Sequence, residues 1–164
     1  MDLRTTRTIR SAIEIRAPLA TVWRVLTDFD AYPAWNPHVR RVVGRPRVGG
    51  RIAIHTRPPG GRTVVMRPVI LSWTAPHELR WRATFVSRAL FSGEHGYRLE
   101  EIAPGRVRFV QDETFSGWLV PLYARARLAS TRLGFAQMNE ALRTRAESEA
   151  ANPGTPVAAV GATS

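Results

Sequence analysis

From Val39 to Gly117 the chain is a succession of short runs in which apolar and polar residues alternate, cut apart by glycine and proline. The breaks are RPRVGG at 45–50, RPPGGR at 57–62, TAPHE at 74–78 and APGR at 103–106. Between them lie RIAIHT, VVMRPVILSW, ELRWRATF, GEHGYRLEEI and RVRFVQDETF. A period of two means a strand with one face toward a core, and loops this short join neighbours antiparallel. Pro68 interrupts an otherwise continuous run, which predicts a bulge or an edge there, because proline cannot donate to a ladder. The glycine pairs at 49–50 and 60–61 read as hairpin loops.

An antiparallel sheet with one wet face needs a cover for the other. Residues 119–147 supply it as a long helix. Its apolar positions are Leu122, Ala126, Ala129 and Leu133, then Phe135, Met138 and Leu142 on a displaced side, so a kink or close packing is expected at Gly134. Ahead of the strands, residues 9–16 partly alternate and form a first strand. Pro18 then suits the first turn of a helix bearing Val22, Val25, Leu26 and Phe29, and AYPAWNP makes a second short helical turn ending by Pro37. The layout is α+β: a strand, two short helices, a meander that brings the sheet to six or seven strands, and a long C-terminal helix. Residues 1–8 are expected to be an N-terminal extension, 9–149 a single domain and 150–164 a disordered tail of small residues.

The faces of three strands raise the functional question. One side of residues 91–99 carries Phe91, Gly93, His95, Tyr97 and Leu99, and its opposite, with Ser92, Glu94, Gly96 and Arg98, is for water. Residues 107–115 place Val107, Phe109, Gln111, Glu113 and Phe115 together, and residues 79–85 place Leu79, Trp81, Ala83 and Phe85 together. Aromatic walls thus bring His95, Tyr97, Gln111 and Glu113 to the side that faces inward. Buried polar groups without partners cost roughly 1–3 kcal/mol each. Several on one face imply either a mutual network or a solvated cavity with apolar walls. Trp81, Phe109, Phe135 and Met138, with Trp35 and Trp73, are candidates for core that doubles as cavity wall.

Composition narrows the field. The 164 residues include 24 arginines, no lysine and 13 carboxylates, for a net charge of +11. The arginines are scattered without interleaved aromatics, which weighs against nucleic acid. Attraction to anionic ligands or membrane surfaces stays open. There is no cysteine, and the four histidines lack HxH or HxxxH spacing, so no metal site is expected. No phosphate-loop or dinucleotide motif occurs, and no cofactor is expected. No run reaches the ~18–20 apolar residues of a membrane span, and the N-terminal residues lack a signal-like apolar stretch, so cytoplasmic placement is the expectation.

The N-terminal segment IEIRAPLATVWRVLTDFDAYPAWNP carries Ala17-Pro18, Val22-Trp23, Asp28-Phe29 and a Tyr32-Pro33-Ala34-Trp35-Asn36-Pro37 corner. It resembles the opening of the START-like, or SRPBCC, superfamily, which includes the polyketide cyclase/dehydrase and birch-pollen-allergen-like proteins. GEHGYRLEE and RFVQDETFSG are similar to closing strands of bacterial members, and the resemblance extends over about residues 9–147. It implies a helix-grip fold, a curved antiparallel sheet around a long C-terminal helix, with a cavity for lipids, sterols, polyketides or other hydrophobic molecules. The Trp-Asn-Pro corner is structural in that family, so no catalysis is assigned to Asn36 or Asp28.

Three functions are in competition. The first is binding of a small hydrophobic molecule, in a monomer or homodimer, with Arg67 or the arginines from Arg125 to Arg132 meeting an acidic group at the mouth. The second is a cyclase/dehydratase in which His95 removes a proton, Glu113 orients it, and Tyr97 or Gln111 donates to oxygen. The third is a basic module for RNA or a membrane surface.

Overall fold

A computed structural model describes residues 5–152 of the chain. Strand β1 spans Thr5–Ile15 and pairs antiparallel along its whole length with β8, Arg106–Gly117. Residues 5–8, read from sequence as part of an extension, therefore belong to the sheet. β-Branched threonines suit a strand, and Thr8 pairs with Thr114, their hydroxyl oxygens 3.0 Å apart.

After Pro18, helix α1 (Leu19–Thr27) buries Val22, Val25 and Leu26. A 3-10 turn at Phe29–Ala31 follows, capped by the Asp28 carboxylate, which accepts from the Ala31 amide at 3.3 Å. Helix α2 (Tyr32–Trp35) ends at a corner that Asn36 closes. The Asn36 Oδ1 accepts from the amides of His38 and Val39, each at 2.9 Å. Tyr32 donates to the Leu26 carbonyl at 2.6 Å from a buried ring, tying α2 to α1. Burial holds this phenol well above its ordinary pKa, with Tyr97 and then Asp28 adding to the effect. The signature corner is thus a hydrogen-bonded splice.

Six more strands complete the sheets with β1 and β8: β2 (Val39–Val43), β3 (Ala53–Thr56), β4 (Val64–Met66), β5 (Val69–Thr74), β6 (Glu78–Phe85) and β7 (Phe91–Ala103). They form two antiparallel sheets, ordered β1-β8-β7-β6-β5 and β2-β3-β4. The expected sheet of six or seven strands is therefore eight strands in two sheets, five of them in the larger. Pro68 marks the division. It lies between β4 and β5, so the run VVMRPVILSW is two strands where alternation alone read one. The sheets are linked by an isolated bridge between Arg51 and Val69 and by hydrogen bonds exchanged between Ile70 and Gly49-Gly50, both at 2.9 Å.

Helix α3 (Val120–Ala151) covers the inner face of the larger sheet. It runs beyond residue 147 and takes in residues 150–151 of the expected tail; residues 153–164 lie outside the described residues. Gly117 makes the turn into it. Its φ is +127°, and a Cβ there would sit 2.5 Å from the Leu90 carbonyl oxygen, which only glycine avoids. The buried positions of α3 are Val120, Gly134, Phe135, Met138, Asn139, Leu142 and Ala146. Leu122, Ala126, Ala129 and Leu133, expected to face the sheet, are exposed instead. Gly134 is buried within an unbroken helix, and a Cβ there would meet Pro59 Cδ at an ordinary contact distance of 3.4 Å, so the expected close packing is not required; the two stripes differ because one faces out and the other in.

The outer face of the larger sheet is drier than its sequence suggests. Ser92 is buried there against Ser116, hydroxyl to hydroxyl at 3.0 Å. Arg80 lies across Gly96 and meets Asp112 through two nitrogens at 3.1 and 3.2 Å, with Glu94 and Glu78 close by.

At the far end of α3, Glu149 joins Arg145 at 2.5 Å and Arg24 of α1 at 2.7 Å. Burial pulls its pKa up, but the bonds from Arg145 and Arg24 outweigh burial and leave it below its ordinary value of 4.5. A depressed carboxyl stabilises the fold above that ordinary value, and the contribution fades as pH falls through the folded one. Glu149→Gln should therefore lower the urea midpoint at pH 7 and flatten its decline below pH 4.5. Equal slopes in both proteins would show that the Glu149 cluster does not contribute.

Candidate functional site

Cross-strand register assembles the inner wall. Trp81 of β6 sits opposite His95 of β7, and His95 opposite Glu113 of β8. Next to this row lie Leu79, Tyr97 and Gln111, again in register, and on its other side Ala83, Gly93 and Phe115. Three neighbouring rows thus place aromatic, polar and small side chains on one surface under α3.

Between that surface, α3 and the β2-β3-β4 sheet lies a cavity of about 660 Å³. Seven of the residues singled out from sequence line it: Trp81, His95, Tyr97, Gln111, Glu113, Phe135 and Met138. Phe109, Trp35 and Trp73 do not. Phe109 is wholly buried beneath Tyr97, with ring centroids 5.5 Å apart. Trp35 packs on Tyr32 at 4.9 Å, and Trp73 packs on Trp23 at 5.7 Å and on Phe29 at 6.2 Å. Their large rings fill the core, where alternation could not tell filled space from open space. Arg67 is also absent from the lining, and of the helix arginines only Arg127 reaches it.

The polar residues divide into spent and unspent groups. Gln111 donates to Asn139 Oδ1 at 2.8 Å, and Asn139 passes the chain on to Ser11 at 2.9 Å. Tyr97 donates to the Met138 sulfur at 3.4 Å. Burial raises the Tyr97 pKa far above its ordinary value, and the Glu113 charge raises it further, so the phenol stays protonated. His95 is held between rings: it stacks on Trp81 at 4.8 Å with planes 2° apart, and meets Tyr97 at 4.9 Å and Phe135 at 5.0 Å. Its Nδ1 lies 3.6 Å from Glu113 Oε2, and its buried Nε2 has no hydrogen-bond partner among the described residues. Glu113 is the one carboxylate among the described lining residues. Gly93 gives it room, since a Cβ there would approach Glu113 Oε1 to 2.9 Å. Two groups, His95 and Glu113, therefore remain available at the cavity floor.

The opposite wall was not foreseen. Ile54 of β3 and Met66 of β4 are in register and line the cavity with Ile52. His38 also lines it, its Nδ1 3.2 Å from the Arg57 carbonyl, which assigns the proton to that nitrogen. The 58–62 loop and Tyr123, Arg127 and Ser130 of α3 complete the lining. Ser130 closes one side by donating to the Pro59 carbonyl at 3.0 Å. The alternation Ile52, Ile54 in RIAIHT was a signal for this wall; nothing in sequence shows which sheet it joins.

Comparison with known proteins agrees with this architecture. A family profile described as polyketide cyclase/dehydrase and lipid transport matches residues 6–147. Curated protein sequences give no match. Among solved structures, the Zhui aromatase/cyclase from Streptomyces sp. R1128 superposes with a TM-score of 0.75 at 19% identity, over 93% of this chain and 100% of that one. A START superfamily protein from Mycobacterium smegmatis gives 0.68 at 16% identity, over 86% and 97%. The di-domain ARO/CYC BexL from the BE-7585A biosynthetic pathway gives 0.65 at 17% identity, over 92% of this chain and 51% of that one. At these identities the likeness shows the fold.

Ala83 is small and projects from a rigid strand into the cavity. Ala83→Phe should cut uptake of the fluorescent lipophile 1-anilinonaphthalene-8-sulfonate at least tenfold, with stability within about 1–3 kcal/mol of the parent. Undiminished fluorescence would mean that the dye binds elsewhere.

Proposed function

Because the chain belongs to the polyketide cyclase/dehydrase and lipid transport family, we propose that its cavity binds an elongated, mainly apolar molecule bearing a hydroxyl group. Aromatic metabolites of the polyketide type fit this description. The supporting observation is the pairing of Glu113 with His95 in apolar walls. A carboxylate there has no hydrogen-bond donor from the described residues, and a phenolic or enolic hydroxyl supplies one. Hydrogen bonds to charged groups contribute about 1.5–3 kcal/mol, which corresponds to tenfold or more in affinity. Arg62 and Arg127 in the lining suit an anionic end on the same molecule.

A second reading, cyclase/dehydratase chemistry, is favoured by the same pair. The imidazole, oriented by Glu113, would take a proton from the carbon next to a ligand carbonyl, and the electron pair would move onto the carbonyl oxygen. That oxygen needs a donor, and both donors foreseen from sequence are engaged, Tyr97 with Met138 and Gln111 with Asn139. Binding is therefore the leading function and turnover the alternative.

Native mass spectrometry of freshly purified protein, followed by denaturing extraction, should release a discrete lipophilic species with a hydroxyl group. In titrations, 2-naphthol should bind at least tenfold more tightly than naphthalene, and Glu113→Gln should erase most of that preference. A preference that survives both Glu113→Gln and His95→Phe would remove the pair from ligand recognition.

A further inference from the structure

The outward stripe of α3 is the feature least explained by the fold. Leu122 is 66% exposed and Leu133 51%, with Ala126 and Ala129 between them on the same helical face. Glu140 ends the stripe. At its beginning stands Trp118, 63% exposed, beside Leu119. The 86–90 loop lies against this point, because the Trp118 amide donates to the Ala89 carbonyl and the Leu119 amide to the Leu90 carbonyl, both at 3.1 Å. At its tip Val86 is 94% exposed and has a φ of +63°. A β-branched residue rarely adopts that conformation, and nothing it touches within the domain rewards it. Phe85, next in the chain, is exposed on one side and lines the cavity on the other. Val86, Trp118, Leu119 and Leu122 thus form an exposed apolar rim beside Phe85, which lines the cavity.

Charge decides what this rim meets. Arg125 and Arg132 are exposed on one flank of the stripe, Arg127 and Arg62 are exposed while also lining the cavity, and Arg88 is exposed on the loop. None has a carboxylate within 4 Å among the described residues. The sequence has no Asp or Glu at all in 31–77, 79–93 or 114–139. A second copy docked symmetrically on this rim would bring the same arginines together, which like-charge repulsion opposes. The apolar groups protrude singly from separate elements and form no groove for a partner helix or strand. Leucine on an exposed helix face, with tryptophan in the turn just before the helix and arginine on the flank, suits insertion at a lipid interface.

We propose that this rim docks on a bilayer surface carrying anionic headgroups, with Val86, Trp118 and Leu122 entering the acyl boundary and the arginines meeting the headgroup charge. The part of the cavity wall that Phe85 supplies then faces the lipid. The docking is independent of what the cavity holds.

The test is flotation of the full chain with vesicles of phosphatidylcholine alone and of phosphatidylcholine with 30% phosphatidylglycerol. The protein should partition into the anionic vesicles, and acyl-chain bromination should quench fluorescence that Trp118→Phe removes. Val86→Ser with Leu122→Ser should weaken partitioning tenfold or more. Arg125→Gln with Arg132→Gln, at exposed positions that leave folding intact, should reduce the preference for anionic vesicles. Circular dichroism and an unchanged Tm confirm that each variant is folded. Absence of partitioning, equal partitioning into both vesicle types, or partitioning indifferent to the Val86/Leu122 change would each overturn the proposal.

Discussion

Two apolar clusters pin helix α3, and residues of both line the cavity. Met138, Leu142 and Ala146 fasten its C-terminal half to the main core with Phe109, Tyr97 and α1. Val120 and Phe135 fasten it to Ile9 and Phe115. Fully burying a side chain of this size contributes roughly 1.5–3 kcal/mol, so neither anchor is easily released. Between Val120 and Phe135 the helix lines the cavity with Tyr123, whose ring packs on Phe115 at 4.6 Å, and with Ser130, Thr131 and Gly134, which are too small to fill the space beside it. The opening is held by good packing on either side of it.

Much of this was legible in sequence. Period-two alternation with Gly/Pro breaks identified the strands, and the Tyr-Pro-x-Trp-Asn-Pro corner identified the N-terminal splice. The inward face of β7 and β8 followed from parity alone, and with it His95, Tyr97, Gln111 and Glu113. What parity cannot report is how each group is spent. Tyr97 meets Met138 across 41 residues of sequence and Gln111 meets Asn139 across 28; only the packing of helix on sheet fixes those pairs.

The misread stripe on α3 has a physical cause. Apolar residues at helical spacing face the core in an ordinary surface helix. Here the inner face borders a cavity, so it carries Ser130, Thr131 and Gly134, and the outer face carries leucines. A hollow interior inverts the pattern from which inside and outside are read. The division at Pro68 was missed for a related reason: one proline marks either a bulge or a break, and only the partner strands decide between them.

The small β2-β3-β4 sheet forms one whole wall of the cavity yet meets the larger sheet mainly through a few backbone bonds around Arg51, Val69 and Ile70. The opposite wall is built from long strands paired along most of their length. Local opening free energies scale with what must be broken. The cavity is therefore asymmetric in compliance as well as in chemistry. The wall bearing His95 and Glu113 keeps its geometry, while the wall bearing Ile54 and His38 is the one that yields to differently shaped contents. The His95–Glu113 pair thus sits on the side that holds its shape, and the side that adapts carries Ile54, His38 and Arg62.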